Sequence, residues 1–257
     1  MFRILVCVKA IPNTTEVSFD ADGKLQRSSA ELQWNVADLA ALEAALTLRT
    51  PESTVTVLTM GPQKLEMPLK ELLARGADEA VLITDKSLAG SDTYATARVL
   101  AAAVEKLGGF DLILCGKQSL DGDTGQIPGM LAAALNMTCI TNTENLAVSN
   151  QQCALDRILE KGIQKLTLDL PCVVSVQPYA YTLRLPGIMA IRKAREKTVL
   201  TLNTQDLDLS PETCGQSGSL TKVVKIHPMR HGHRNGPKEA DLAVGTARIL
   251  TLLKEVK

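Results

Sequence analysis

The chain has 257 residues, 45% of them hydrophobic and 22% charged, enough for one large α/β domain, or one domain with an arm, that builds its core without disulfides. Lys and Arg total 28 against 28 Asp and Glu, so no basic excess is present to hold nucleic acid by its phosphates, and a free monomer has little electrostatic protection from association. No run approaches the ~18 apolar residues of a membrane span, the opening Met1–Lys9 stretch is too soon interrupted for a secretory core, and none of the six cysteines (Cys7, Cys115, Cys139, Cys153, Cys172, Cys214) lies within three positions of another, which excludes C-x-x-C motifs. A cytoplasmic location is expected.

In chain order, a β-branched run Ile4–Val8 comes first. Asn35 then caps a helix with Val36, Leu39, Leu42 and Leu46 on one face. Val55–Thr59 gives a second strand, Met67–Arg75 a helix and Ala80–Ile83 a third strand. Ser91 or Asp92 caps a helix carrying Ala97, Leu100, Val104 and Leu107, Leu112–Cys115 is a fourth strand, and Ile127, Met130, Leu131, Ala134 and Leu135 repeat at helical spacing. The strands are nearly continuous apolar runs, as strands buried on both faces should be. Strand alternating with helix predicts a Rossmann-like, doubly wound, mainly parallel α/β sheet with helices on both faces and right-handed crossovers.

After about residue 140 the pattern changes. Cys153–Leu159 and Lys165–Leu170 alternate around Glu160–Gly162, predicting a β-hairpin over about 152–170, and Cys172–Val176 returns to the parallel-strand type. Residues 203–237 are rich in Gly, Ser, Thr, Pro and His, and only Val223–Ile226 alternates. Pro237 opens a last helix with Leu242, Thr246, Ile249, Leu253 and Val256 on one face and Lys238, Glu239, Lys254 and Glu255 largely off it. Such a segment either folds back on the core or docks on a partner, and the partner reading is favoured because ~35 unstructured residues inside a compact domain are unusual. The expected division is 1–204 for the α/β domain and 205–257 for a docking arm.

The stretch Asp121-Gly122-Asp123-Thr124-Gly125-Gln126-Ile127 follows a strand and opens a helix. At the carboxyl edge of a parallel sheet that is where ligands bind. Gly122 and Gly125 let a phosphate approach backbone, the helix start offers unpaired N–H groups, and Thr124 offers a hydroxyl. Cys7 with Val8 and Lys9, the helix start Asn35-Val36-Ala37-Asp38, Met60 in Thr59-Met60-Gly61-Pro62, and Thr93 and Thr96 after Gly90 should converge on the same edge. Read alone, the loop fits either a nucleotide cradle or a polar turn that caps a helix, for it is neither G-x-G-x-x-G nor a P-loop. Gly-x-Ser-x-Gly is absent, and the only histidines, His227, His231 and His233, share one Pro/Gly-rich loop without carboxylate or cysteine. A solvated loop is the better reading there than a metal site, and no histidine serves acid–base chemistry in the cleft.

Together Met1–Lys9, Asn35–Asp38, Met60-Gly61-Pro62 and Gly116–Gln126 resemble the β subunit of electron-transfer flavoproteins, and Arg157–Ser175 resembles the family's hairpin and following strand, departing at Lys161. The resemblance implies an adenine nucleotide on the sheet, held through Cys7, Asn35, Val36, Ala37, Asp38, Met60, Thr93, Thr96 and Asp121–Ile127. It implies a large α subunit with a redox-active FAD, and a flavin-dependent dehydrogenase, such as an acyl-CoA dehydrogenase, as partner. Leu185, in Arg184-Leu185-Pro186-Gly187-Ile188-Met189, resembles the family's exposed anchor, in a recognition loop over about 181–195. Simple carriers hold AMP at this nucleotide site, whereas electron-bifurcating members hold a second FAD reduced by NADH. Asp121-Gly122-Asp123-Thr124-Gly125-Gln126 is similar to the bifurcating type, as is Asp92–Thr96, so FAD is the expectation and AMP the alternative. Pro128 sits one place off the usual order. A nucleotide-binding regulatory protein on the same fold is the reading from another class.

Overall fold

The structure, a computed structural model, describes residues 2–13, 32–222, 224 and 239–255. His227, His231, His233, Pro237, Lys238 and Val256 lie outside the described residues, as does most of Val223–Ile226. The chain divides into two compact units, Met1–Val224 and Lys225–Lys257.

In the first unit the elements run β1 (Phe2–Cys7), β2 (Ala10–Pro12), β3 (Leu32–Trp34), α1 (Val36–Leu48), β4 (Ser53–Met60), α2 (Glu66–Arg75), β5 (Glu79–Ile83), α3 (Thr93–Lys106), β6 (Leu112–Gly116), α4 (Ile127–Ala134), β7 (Thr138–Ser149), β8 (Gln152–Leu159), β9 (Gly162–Asp169), β10 (Cys172–Val176), α5 (Ile188–Glu196), β11 (Leu200–Leu202) and α6 (Gly215–Gly218). Nine strands form one sheet in the order β11-β5-β4-β1-β6-β10-β7-β8-β9, with β2 and β3 paired separately. From β11 to β7 every neighbour is parallel; β8 and β9 add on antiparallel. From β1 the chain winds out through β4 and β5, then returns to lay β6 on the other flank of β1, which makes the strand ends around β1 the topological switch point.

The central strands are buried on both faces, which explains their unbroken apolar runs. Ile4, Val6, Val55, Val57, Leu112, Leu114 and Val174 face the layer of α1 and α2. Leu5, Leu58, Val81, Ile83, Ile113 and Val173 face that of α3 and α4. α1 is apolar almost all round because it is buried almost all round, and Ala40, Ala41, Ala44 and Ala45 let it lie close on the sheet. α2 buries Leu69 and Leu72 completely, roughly 1.5–3 kcal/mol each.

Some elements differ from expectation. The expected hairpin is the outer pair of a three-stranded extension whose inner strand, β7, is hidden in the sequence. Asn142 and Asn145 adopt positive φ and the register shifts between Glu144 and Ala147, so polar/apolar alternation is broken. α5 occupies most of the expected recognition loop but buries only Ala194, so its helical period carries little signal. Residues 205–222, expected to begin the arm, belong to the first unit: Leu207 and Cys214 are buried in the α3-side core, and Thr204 is bound by Asp85. The division falls after Val224, not after 204. In the second unit, α7 (Leu242–Glu255) leaves Leu242, Ile249, Leu250, Leu252 and Leu253 exposed. Among the described residues no helix is long and apolar enough to cross a membrane.

Candidate functional site

A cavity of about 350 Å³ opens at the carboxyl ends of β1, β4 and β6, at the switch point. Its floor is apolar, from Cys7, Leu58, Met60, Leu100 and Cys115; its rim is polar, from Lys9, Ser91, Thr93, Lys117, Ser119 and Thr124. Of the residues expected at the site, Cys7, Asp38, Met60, Thr93, Thr96, Gly122, Thr124, Gly125, Gln126 and Ile127 line it, whereas Asn35, Val36, Ala37, Asp121 and Asp123 do not.

The hydrogen bonds say what the polar residues around the cavity do. Asn35 precedes α1 but makes no side-chain cap. Its amide instead donates to the Gln118 carbonyl at 3.0 Å and its oxygen accepts from the Leu120 N–H at 3.3 Å, fastening the loop after β6. Asp38, buried in the first turn of α1, accepts from Lys9 N–H at 2.8 Å and Gly116 N–H at 3.1 Å, so one carboxylate ties together the ends of β1 and β6. Burial pushes its carboxyl up to about 7, against the downward pull of Asn35 and the two backbone donors. A Cβ at Gly116 would meet the Asp38 side chain and the Ala37 backbone, so glycine lets α1 abut the strand end. Val36 and Ala37 supply that turn.

Asp121 pairs with Lys9 at 2.8 Å, and Asp123, with φ 51°, binds the Gln118 amide. Burial raises the Asp121 carboxyl, but Lys9, Ser119 and the Gly122 N–H together hold it below the usual range. Thr93 donates to Gln126 at 2.8 Å, joining the starts of α3 and α4 across the cavity. Gly125 sits at φ 61°, turning the loop toward α4. On the floor, the Cys7 thiol and burial both push the Cys115 thiol up, so it stays a neutral, weakly polar surface. Sequence reasoning placed Ser91, Asp92 and Lys117 in the right loops without choosing them for the site; Leu58 and Leu100 carried no signal apart from core periodicity.

The fit to an adenine nucleotide is good on these contacts. The floor offers an apolar slot for a flat base, and two helix starts, two lysines and several hydroxyls face the mouth where phosphates would lie. Among the described residues no group of three His, Cys, Asp or Glu could hold a metal.

Apart from the residues that line this cavity, on the α1/α2 side, Arg184 grips Glu43 of α1 from its side chain (2.7 and 2.9 Å) and its backbone N–H (3.1 Å), while Arg75 donates to the Arg184 carbonyl at 2.9 Å. The adjacent Leu185 is 85% exposed, as is Ile188, and Met189 is 64% exposed.

The model of the electron transfer flavoprotein domain matches residues 22–207. The chain is 37% identical over 226 residues to the caffeyl-CoA reductase-Etf complex subunit CarD of Acetobacterium woodii, covering 87% of this chain and 86% of that protein. It is 38% identical over 225 residues to the electron transfer flavoprotein subunit beta of Thermoanaerobacterium thermosaccharolyticum, with 86% of each chain covered. To the acryloyl-CoA reductase electron transfer subunit gamma of Anaerotignum propionicum it is 36% identical over 232 residues, with 87% of each covered. The switch-point cavity and these likenesses lead to one conclusion: the chain belongs to the electron transfer flavoprotein family, is of the beta-subunit type, and functions in electron transfer.

Proposed function

We propose that the chain is the small subunit of a heterodimer with a large electron-transfer-flavoprotein subunit, and that its cavity holds FAD in an NADH-dependent, electron-bifurcating assembly. The observation that carries this reading is the loop Gly122–Ile127. It contributes two glycines, a hydroxyl and a helix start to the cavity mouth, with Thr93 and Thr96 across from them, a donor set suited to a diphosphate. Relatives named for the caffeyl-CoA and acryloyl-CoA reductase complexes support it. When bound, FAD would supply a two-electron acceptor for a nicotinamide donor. The chain's own part is to bind and orient it: Asp38 and Asn35 fix the strand ends and the loop, and the apolar floor keeps water from the base. A flavin-dependent dehydrogenase, such as an acyl-CoA dehydrogenase, is the proposed partner at Leu185. Residues 225–257 are proposed as the segment that lies along the large subunit.

One observation favours the simple-carrier reading. A cavity of about 350 Å³ is at the small end of ligand sites and suits AMP alone, whereas FAD must extend beyond it. Nucleotide released from the denatured heterodimer separates the two. Two FAD per heterodimer without AMP is expected; one FAD with one AMP would sink the bifurcating reading. Gly122→Asp tests the placement. A Cβ there meets only Ser119 Oγ, at 3.5 Å, so the fold tolerates the change while a carboxylate enters the phosphate end. About half or more of the second FAD should be lost, from like-charge repulsion of ~1 kcal/mol or more.

A further inference from the structure

Asp92 spends both carboxylate oxygens at the start of α3. One accepts from Ala95 N–H at 2.9 Å and closes the first turn; the other accepts from both the N–H and the hydroxyl of Thr221, each at 2.9 Å. The Asp92 N–H donates to Ser219 Oγ at 2.8 Å, and that hydroxyl lies 2.7 Å from the Gly215 carbonyl and 3.3 Å from the Gly90 carbonyl. Gln216 N–H donates to the Ala89 carbonyl at 3.1 Å. A Cβ at Gly215 would strike the Ser87 and Ala89 carbonyls, so the two backbones touch there. Residues 215–221 therefore clasp the very turn whose Ser91, Asp92, Thr93 and Thr96 form one wall of the cavity. Three residues past Thr221 the first unit ends, and the chain passes into the second at Lys225.

We propose that Thr221 is a positioning residue of the nucleotide site, and that the Asp92–Thr221 clasp couples the run leading to the C-terminal unit to retention of the nucleotide. The proposal rests on the reading that this cavity holds an adenine nucleotide. A closed clasp fixes the pitch of the first turn of α3, and with it the two threonine hydroxyls at the phosphate end. Coupling of this kind is reciprocal: a clasp that tightens nucleotide is tightened by it. Whatever displaces residues 222–224 acts first on Thr221, and through Asp92 on the cavity wall.

The test uses the purified heterodimer. Release of FAD and of AMP is followed after dilution for the native protein, Thr221→Val and Thr221→Ser. Thr221 is exposed, and valine keeps its size and its backbone N–H while deleting the hydroxyl, so folding is retained; circular dichroism checks this. Losing a hydrogen bond to a carboxylate should speed release from this chain about tenfold in Thr221→Val and by no more than about twofold in Thr221→Ser. Amide exchange at Thr221 should be slower in nucleotide-loaded than in nucleotide-depleted protein. Native release rates in Thr221→Val, or equal exchange at Thr221 in the two forms, would overturn the clasp. Native heterodimer that yields only the large subunit's FAD overturns instead the nucleotide reading on which it stands.

Discussion

Asp38 shows how a residue that lines the cleft can matter through the strand ends it ties together. Its two oxygens are taken by Lys9 and Gly116, so its contribution is to the spacing of two strand ends. Burial lifts its carboxyl from 3.8 to about 7. The protonated form is thus the one the fold prefers, and its share of stability is full below pH 3.8 and lost as pH rises through about 7. Asp85 and Asp92 run the other way. Thr204, followed by Ser87, holds Asp85 low; around Asp92 burial is outweighed by Ala95 and Thr221. Their share is present above the ordinary carboxylate range and lost as pH falls. Asp38→Asn should therefore remove the decline between about pH 4 and pH 7, a difference of at most about 4 kcal/mol. Urea unfolding at the two pH values reads it. An equal gap between native and variant at both would mean that Asp38 does not titrate there. The sequence marked Asp38 and Asn35 as site residues by their place at a helix start. It could not tell lining from bracing, because that depends on which backbone N–H groups the fold brings within 3 Å or so.

Among the elements, the segment Arg184–Met189 is a stiff mount for an exposed leucine. Glu43 is nearly buried in α1, so its carboxylate needs a partner, and Arg184 supplies side-chain and backbone donors at once. Leu185 comes next in the chain and points no apolar surface into the core. Leu185→Ala should weaken docking of the dehydrogenase by about 2 kcal/mol, seen as slower electron transfer at unchanged flavin content. Glu43→Gln should do so less strongly, and should also cost the fold about 1–3 kcal/mol through the weakened charged hydrogen bonds. Unchanged partner kinetics in Leu185→Ala would return the side chain to a merely local role. The strands of the parallel core were plain in the sequence because each is apolar without interruption. β7, α5 and β11 were not. The first is broken by asparagines in left-handed conformation, the second buries one side chain, and the third is a three-residue edge.

For the whole molecule, the two compact units make the arm hypothesis sharper than composition could. Cutting after Leu209 would remove Cys214, Ser219 and Thr221, all tied to α3. Cutting after Val224 leaves the first unit whole. The 1–224 chain should keep its far-ultraviolet dichroism and melt within a few degrees of the full chain, as an intact first unit predicts, yet fail to retain the large subunit on a sizing column. A truncated chain that still pairs normally would remove 225–257 from the interface. The Ser/Gly/Pro-rich composition after 203 pointed to an arm starting too early, because polar residues such as Thr204, Ser219 and Thr221 can be fixed by carboxylates as firmly as leucines by a core.

The sheet ends differently on its two sides. At one margin β11 is three residues long and offers little to pair with; at the other, β9 presents an eight-residue antiparallel edge with Ile163 61% exposed near its start. Among the described residues no strand pairs with that edge, and an edge of that length is a template for another strand. The chain carries no net charge to keep copies apart, and α7 shows leucines to solvent. Under the proposed pairing, synthesis of this chain ahead of the large subunit would accordingly be hazardous, and the ratio at which the two are made becomes a condition of solubility: light scattering from the lone chain should climb with concentration and fall away as the large subunit is titrated in.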